Sequence, residues 1–253
     1  MDEISGALAA QHDELAELVR DLGESDWARP TRCEGWDVAA VLLHLAQTDE
    51  LAIASARGDL DSYRNGFLGE RDARGLSVDD AAAAQVDIEH AVGGDAIRTR
   101  WHDAARSMRV AFDAGDPHRR VTWVSGQLSL QTLATTRLSE CWIHTGDIAS
   151  ALGVELEPTD RLRHIARLAW RTLPYAFERV NASMTGPVAL ELIGPGGEQW
   201  HFEPDTAAVT TIRGFAVEFC DVAARRVDPE ATGLVGDGPD VAAVLQLVRT
   251  YAL

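Results

Sequence analysis

Arg137-Leu-Ser-Glu140-Cys-Trp142-Ile-His144-Thr-Gly-Asp147 is the stretch on which the fold turns. In a helix, Glu140 and His144 stand four residues apart, so their side chains leave the same face about one turn from each other. An earlier helical segment carries His44. If that helix faces this one, two imidazoles and one carboxylate can close on a common point. Such a donor set suits zinc or ferrous iron and leaves positions open for water or substrate. The pattern therefore points to a bundle of helices built round a metal centre.

Outward from this stretch, the apolar spacing predicts a helix from Ser129 to Leu152, stopped by Gly153. Towards the N-terminus, Ser5–Leu22 repeats leucines at helical spacing and ends at Gly23, and Asp37 can cap a helix whose apolar residues run from Val38 to Leu51. Asp59–Ser77 is polar and is expected to be irregular, Val78–Val92 and Asp95–Ala114 are expected to be helical, and Val121–Val124 is a short β-like run. Composition shifts at Val154–Asp160, where a domain boundary is expected near residue 155. A helix should follow from Asp160 to Thr185. Beyond Pro187 the period drops to two, giving strands at Val188–Leu192, Gln199–Glu203 and Ala208–Ile212, and then helices at Phe215–Arg226 and Asp240–Ala252. Gly236-Asp-Gly238 is taken as a turn. The expected fold is mainly α: a helical bundle over residues 1–155 and a small α+β domain over 156–253.

Composition narrows the function classes. A net charge of -17 repels phosphate backbones and anionic lipid, so nucleic acid and membrane surfaces are poor partners and small molecules remain. No apolar run approaches the ~18 residues of a membrane span, and the acidic start is unlike a leader, so a cytoplasmic protein is expected. Three cysteines without a CxxC pair argue against a disulfide framework or a cysteine zinc site. Lysine is absent, so every cationic contact to a substrate must come from arginine.

The segments Trp27-Ala-Arg-Pro-Thr-Arg-Cys-Glu-Gly-Trp36-Asp-Val, Leu43-His44-Leu45 and Arg137 to Asp147 resemble the mycothiol-dependent maleylpyruvate isomerase family of DinB-like metal-binding bundles. The resemblance spans essentially the whole chain and is nearest to a metal-binding branch outside the isomerases proper. It implies a four-helix bundle in which His44, Glu140 and His144 hold a divalent metal, zinc first with iron or nickel as alternatives. It also implies mycothiol as a thiol cosubstrate. A thiolate formed at the metal would add to an activated cis double bond; rotation and elimination would give the trans isomer, or release of the adduct would make the enzyme a thiol transferase. A homodimer is common among such bundles.

Other roles follow from type and position. Arg137, Arg120 and Arg226 are the candidates for binding substrate anions, with Arg119 and Arg225 beside them. Arg137 could instead pair with Glu140. Trp36 and Trp142 are expected to pack beside the site and are candidates for lining a cofactor pocket. Cys141 is expected to pack in the core. Asp49, Glu50 and Asp147 are expected to be solvated, with bracing of a ligand as the alternative for Asp147. Two further readings stand beside the thiol-dependent enzyme: a metal enzyme of the same fold using metal-bound water on a specialised metabolite, and a non-enzymatic small-ligand or lipid carrier with a structural metal.

Overall fold

The computed structural model describes residues 2–68, 77–124 and 126–250. The described residues divide into two compact units, one up to Leu156 and one from Glu157 to Thr250.

The first unit contains α1 (Asp2–Leu18), α2 (Glu24–Trp27), α3 (Val38–Arg57), α4 (Leu60–Leu68), α5 (Val78–Glu89), α6 (Gly94–Asp113), β1 (Arg120–Trp123), β2 (Gly126–Ser129) and α7 (Leu130–Leu152). Four long helices, α1, α3, α6 and α7, form the bundle. Their apolar stripes meet in a core that includes Leu8, Leu15, Val41, Leu42, Leu45, Ile97, Trp101, Met108, Leu133, Leu138 and Ile148. The ends of the two helices that carry the triad are set by local chemistry. Asp37 caps α3 by accepting from the Ala40 N–H at 2.8 Å, and Ser129 caps α7 by accepting from the Thr132 N–H at 3.1 Å. Gly58 and Gly153 end them in the left-handed conformation, at φ of 85° and 71°. By length and hydropathy α3 could cross a membrane, but 78% of its apolar window is buried in the protein.

The second unit has α8 (Leu162–Arg171), α9 (Leu173–Arg179), β3 (Val188–Ile193), β4 (Gln199–Phe202), β5 (Thr210–Phe215), α10 (Ala216–Ala223), β6 (Val235–Asp237) and α11 (Val241–Leu247). The sheet order is β4-β3-β5-β6, with β3 and β5 parallel and the other pairs antiparallel. Leu190, Leu192, Trp200, Phe202 and Ile212 are buried with apolar residues of α8 to α11, while Gln199, His201 and Phe215 on the alternate positions are exposed.

The mainly α architecture with a small α+β part is as expected. Several boundaries differ. The first helix begins earlier and ends at Leu18, before a separate short α2. The polar segment expected to be irregular holds α4, and its remainder at 69–76 lies outside the described residues. The helix expected from Asp160 to Thr185 breaks at Thr172, where Pro174 starts α9 afresh. Gly236 sits in the edge strand β6, not in a turn: it packs so tightly that a Cβ would stand 2.5 Å from the Thr211 carbonyl oxygen.

One buried titratable group lies in the bundle away from the triad. His12 of α1 is 2% exposed, and its Nδ1 accepts from Arg109 at 2.7 Å. Burial, reinforced by the charges of Arg109 and Arg137, lowers its pKa to about 3. The folded pKa is below the ordinary 6.5, so this contribution to stability is intact above 6.5 and is lost as pH falls towards 3. Urea unfolding should therefore show a loss of about 2 kcal/mol between pH 7 and pH 5, absent in His12→Gln; a parallel decline in both proteins would exclude His12 as its source.

Candidate metal centre

Three side chains on two helices meet inside the bundle. His44 projects from α3, and Glu140 and His144 from successive turns of α7. His44 Nε2 lies 3.0 Å from Glu140 Oε1, and His144 Nε2 lies 3.4 Å from the same oxygen. All three donor atoms fall within 4.8 Å of one another. Ligands of one tetrahedral ion at ~2.0–2.1 Å would stand about 3.3 Å apart, so the spacing suits a single small cation. Both histidines are buried, while the Glu140 side chain is 19% exposed, which leaves the cluster open on one side.

The two helices run antiparallel here. As α7 advances from Arg137 to His144, its partners on α3 go back from Asp49 to His44. Arg137 and Asp49 form a buried ion pair one turn from the triad: Arg137 Nε donates to Asp49 Oδ1 at 3.1 Å, and its NH2 donates to Thr48 Oγ1 at 2.8 Å. Thr48 in turn donates to the His44 carbonyl at 2.8 Å. Burial pushes the Asp49 carboxyl up to about 6 against the pull of Arg137, so it is ionised at neutral pH.

Burial raises the Glu140 carboxyl, but hydrogen bonds from His144 and His44, with the charges of His144 and Arg137, outweigh it and hold the carboxyl well below its ordinary range. Burial lowers His44, more than its bond to Glu140 raises it. His144 is lowered by burial but raised further by hydrogen bonds with Asp147, Cys33 and Glu140, and ends well above 6.5. The cluster thus combines one carboxylate with one neutral imidazole and one that keeps its proton. A cation entering the triad would have to displace that proton from His144 Nε2.

Behind His144, its Nδ1 lies 3.0 Å from Asp147 Oδ2, and Cys33 Sγ donates to that same oxygen at 3.3 Å. Trp36 stacks at a tilt over His44, with ring centroids 5.0 Å apart. Cys33 and Trp36 belong to a short loop between α2 and α3 and line, with Asp37, Asp87 and His90, a cavity of about 320 Å³.

The structure brings together His44, Glu140, His144 and Trp36. Within the first unit the other candidates are placed elsewhere. Arg137 turns to Asp49 and Thr48 and is 1% exposed, so it cannot reach a substrate anion, and Glu140 is not its hydrogen-bonded partner. Arg120 is exposed on β1, opposite Ser129, and donates to the Gln127 carbonyl. Its hairpin adjoins the start of α7, ten residues and about 15 Å along the helix from Glu140. Arg119 donates to the Ala56 carbonyl. Arg226 and Arg225 belong to the second unit, where they donate to the carbonyls of Ala224 and Gln246. Trp142 is half-buried and lies two residues, or 200° of helix, from Glu140 and His144, on the opposite side of α7. Cys141 is buried, as expected. Asp49 and Asp147, expected to be solvated, are both buried.

Similarities to known proteins show the family of the chain. The family model described as the mycothiol maleylpyruvate isomerase N-terminal domain matches residues 8–149. The chain belongs to this family. Among relatives, an uncharacterised protein found in two strains of Mycobacterium tuberculosis is 32% identical over 246 residues, covering 97% of this chain and 93% of its own. Crystal structures of the mycothiol-dependent maleylpyruvate isomerase, wild type and a point mutant, share the fold with a TM-score of 0.62 at 16% identity, covering 93% of this chain and 92% of theirs. The match to this family suggests an enzyme.

Removing one member of a buried ion pair strands the other. Arg137→Ala should cost about 3–5 kcal/mol in urea unfolding, and the double variant Arg137→Met, Asp49→Leu should recover most of it. A loss below 1 kcal/mol in the single variant would show that the pair is not buried as described.

Proposed function

We propose that the protein is a metal-dependent enzyme with mycothiol as its thiol cosubstrate, acting on a small electrophile of the maleylpyruvate type by isomerisation or thiol transfer. The observation that carries this reading is the convergence of His44 Nε2, His144 Nε2 and a Glu140 oxygen from two facing helices in a chain of this family. These three residues would hold the cation. Zinc suits the two nitrogens and one oxygen best, with iron or nickel compatible. When bound, the cation would lower the pKa of a thiol brought to it from ~8.5 and so favour the thiolate at neutral pH.

The chain's own residues support that chemistry. Glu140 is the single anionic donor, so the triad does not neutralise a dication and leaves the centre attractive to an anionic sulfur or carboxylate. Arg137 adds positive charge behind Glu140 and helps to keep it ionised. The Trp36 ring covers His44 on one side. The partial exposure of Glu140 leaves a way in for small molecules. The two compact units are proposed as two domains, with the bundle carrying the cation site.

Metal analysis by mass spectrometry should find near-stoichiometric divalent metal in the wild type, with a sharp fall in His44→Ala and His144→Ala. Supplied with mycothiol and maleylpyruvate, the loaded protein should yield the trans isomer or a thiol adduct, and the rate should vanish without thiol. Activity on another metabolite that is indifferent to thiol would replace the thiol reading, and a wild type that takes up no metal would end the catalytic one.

A further inference from the structure

We propose that Cys33 and Asp147 are positioning residues for the centre, acting on it through His144. The inference rests on the reading that His44, Glu140 and His144 hold a cation. A histidine presents a lone pair from only one ring nitrogen when the other carries a proton, and the acceptor at that other nitrogen decides which. Here the acceptor is Asp147, three residues along the same helix, with Oδ2 3.0 Å from His144 Nδ1. Asp147 thereby holds a proton on Nδ1, and Nε2, on the side of Glu140 and His44, is the nitrogen that would give up its own proton and present a lone pair to a cation.

Asp147 itself is 1% exposed, and a buried carboxylate must be held by donors. Cys33 supplies one of them, its thiol donating to Oδ2 at 3.3 Å while lying 3.8 Å from His144 Nδ1. The loop that carries Cys33 is itself braced. Thr31 N–H donates to the Trp36 carbonyl at 3.0 Å, Trp36 N–H to the Cys33 carbonyl at 3.0 Å, and Cys33 N–H to Thr31 Oγ1 at 3.1 Å. Arg32 Nε reaches across to Ser150 Oγ of α7 at 3.1 Å, one turn beyond Asp147. One loop therefore addresses both histidines of the triad: Trp36 covers His44, and Cys33 latches the carboxylate behind His144. Cation affinity then depends on a residue that donates nothing to the cation.

The test is affinity for zinc, measured by competition with a chromophoric chelator, together with the visible absorption of the cobalt(II)-substituted protein. Asp147→Asn should weaken zinc binding by about 10- to 100-fold and alter the cobalt spectrum. Cys33→Ala should weaken it several-fold, and Cys33→Ser, whose hydroxyl can still donate to Asp147, should restore it. Cys33 is a half-buried loop residue, so its two variants carry the test even if Asp147→Asn does not fold. Wild-type affinity and an unchanged cobalt spectrum in the Asp147 and Cys33 variants, with zinc lost in His44→Ala, would overturn the positioning role and leave the cation site standing. A wild type that binds neither ion would overturn both.

Discussion

The first unit is organised by one requirement: a carboxylate and two imidazoles must be held together where apolar helices meet. Each of these groups is costly to bury by itself, and none could remain there without partners. Glu140 meets both histidines, His144 meets Asp147, and one turn away Arg137 meets Asp49. The polar atoms thus form a seam along the α3–α7 contact, in a core that is largely apolar. The seam fixes the antiparallel register of the two helices, because a slip of one residue on either would separate at least two of these pairs.

Much of this was legible in the amino-acid order. Helical spacing marked α3 and α7, Asp37, Ser129 and Gly153 marked their ends, and the four-residue step from Glu140 to His144 announced a shared face. What escaped was long-range or depended on exposure. Arg137 shares the face of Glu140 in sequence, but its length lets it reach past the triad to Asp49, a pairing that spacing along one helix cannot reveal. The hairpin of Arg120 leads directly into α7, yet the helix carries Glu140 about 15 Å from its start. Asp147 and Asp49 are charged residues on ligand helices, and composition alone favours a solvated place for them. Cys33 lies in an aperiodic loop, where no pattern relates it to His144.

The second unit shows the same division. Alternation found β3 and β4, because Leu190 and Leu192 of β3 and Trp200 and Phe202 of β4 are buried two residues apart, while Glu191 of β3 and Gln199 and His201 of β4 fall between or beside them and are less buried. The helix break at Thr172 was hidden because apolar spacing continues through Ala169, Leu173 and Ala176, and only the proline that follows disturbs the backbone. The edge strand β6 was hidden because its glycine is there for close approach to β5, and glycine by itself signals a turn.

His44 and Glu140 are 96 positions apart in the chain. An ion gripping both would tie off a loop of that size, which in a disordered chain is costly in entropy but in the folded bundle costs nothing further. The donor triad exists as a unit only when α3 and α7 are already side by side, so a bound ion would favour the closed bundle over every open form in proportion to its concentration above the dissociation constant. The same atoms that would do chemistry on a small molecule would then also serve as a reversible clasp on the topology, and the cell's supply of metal would enter the folding equilibrium of the protein directly.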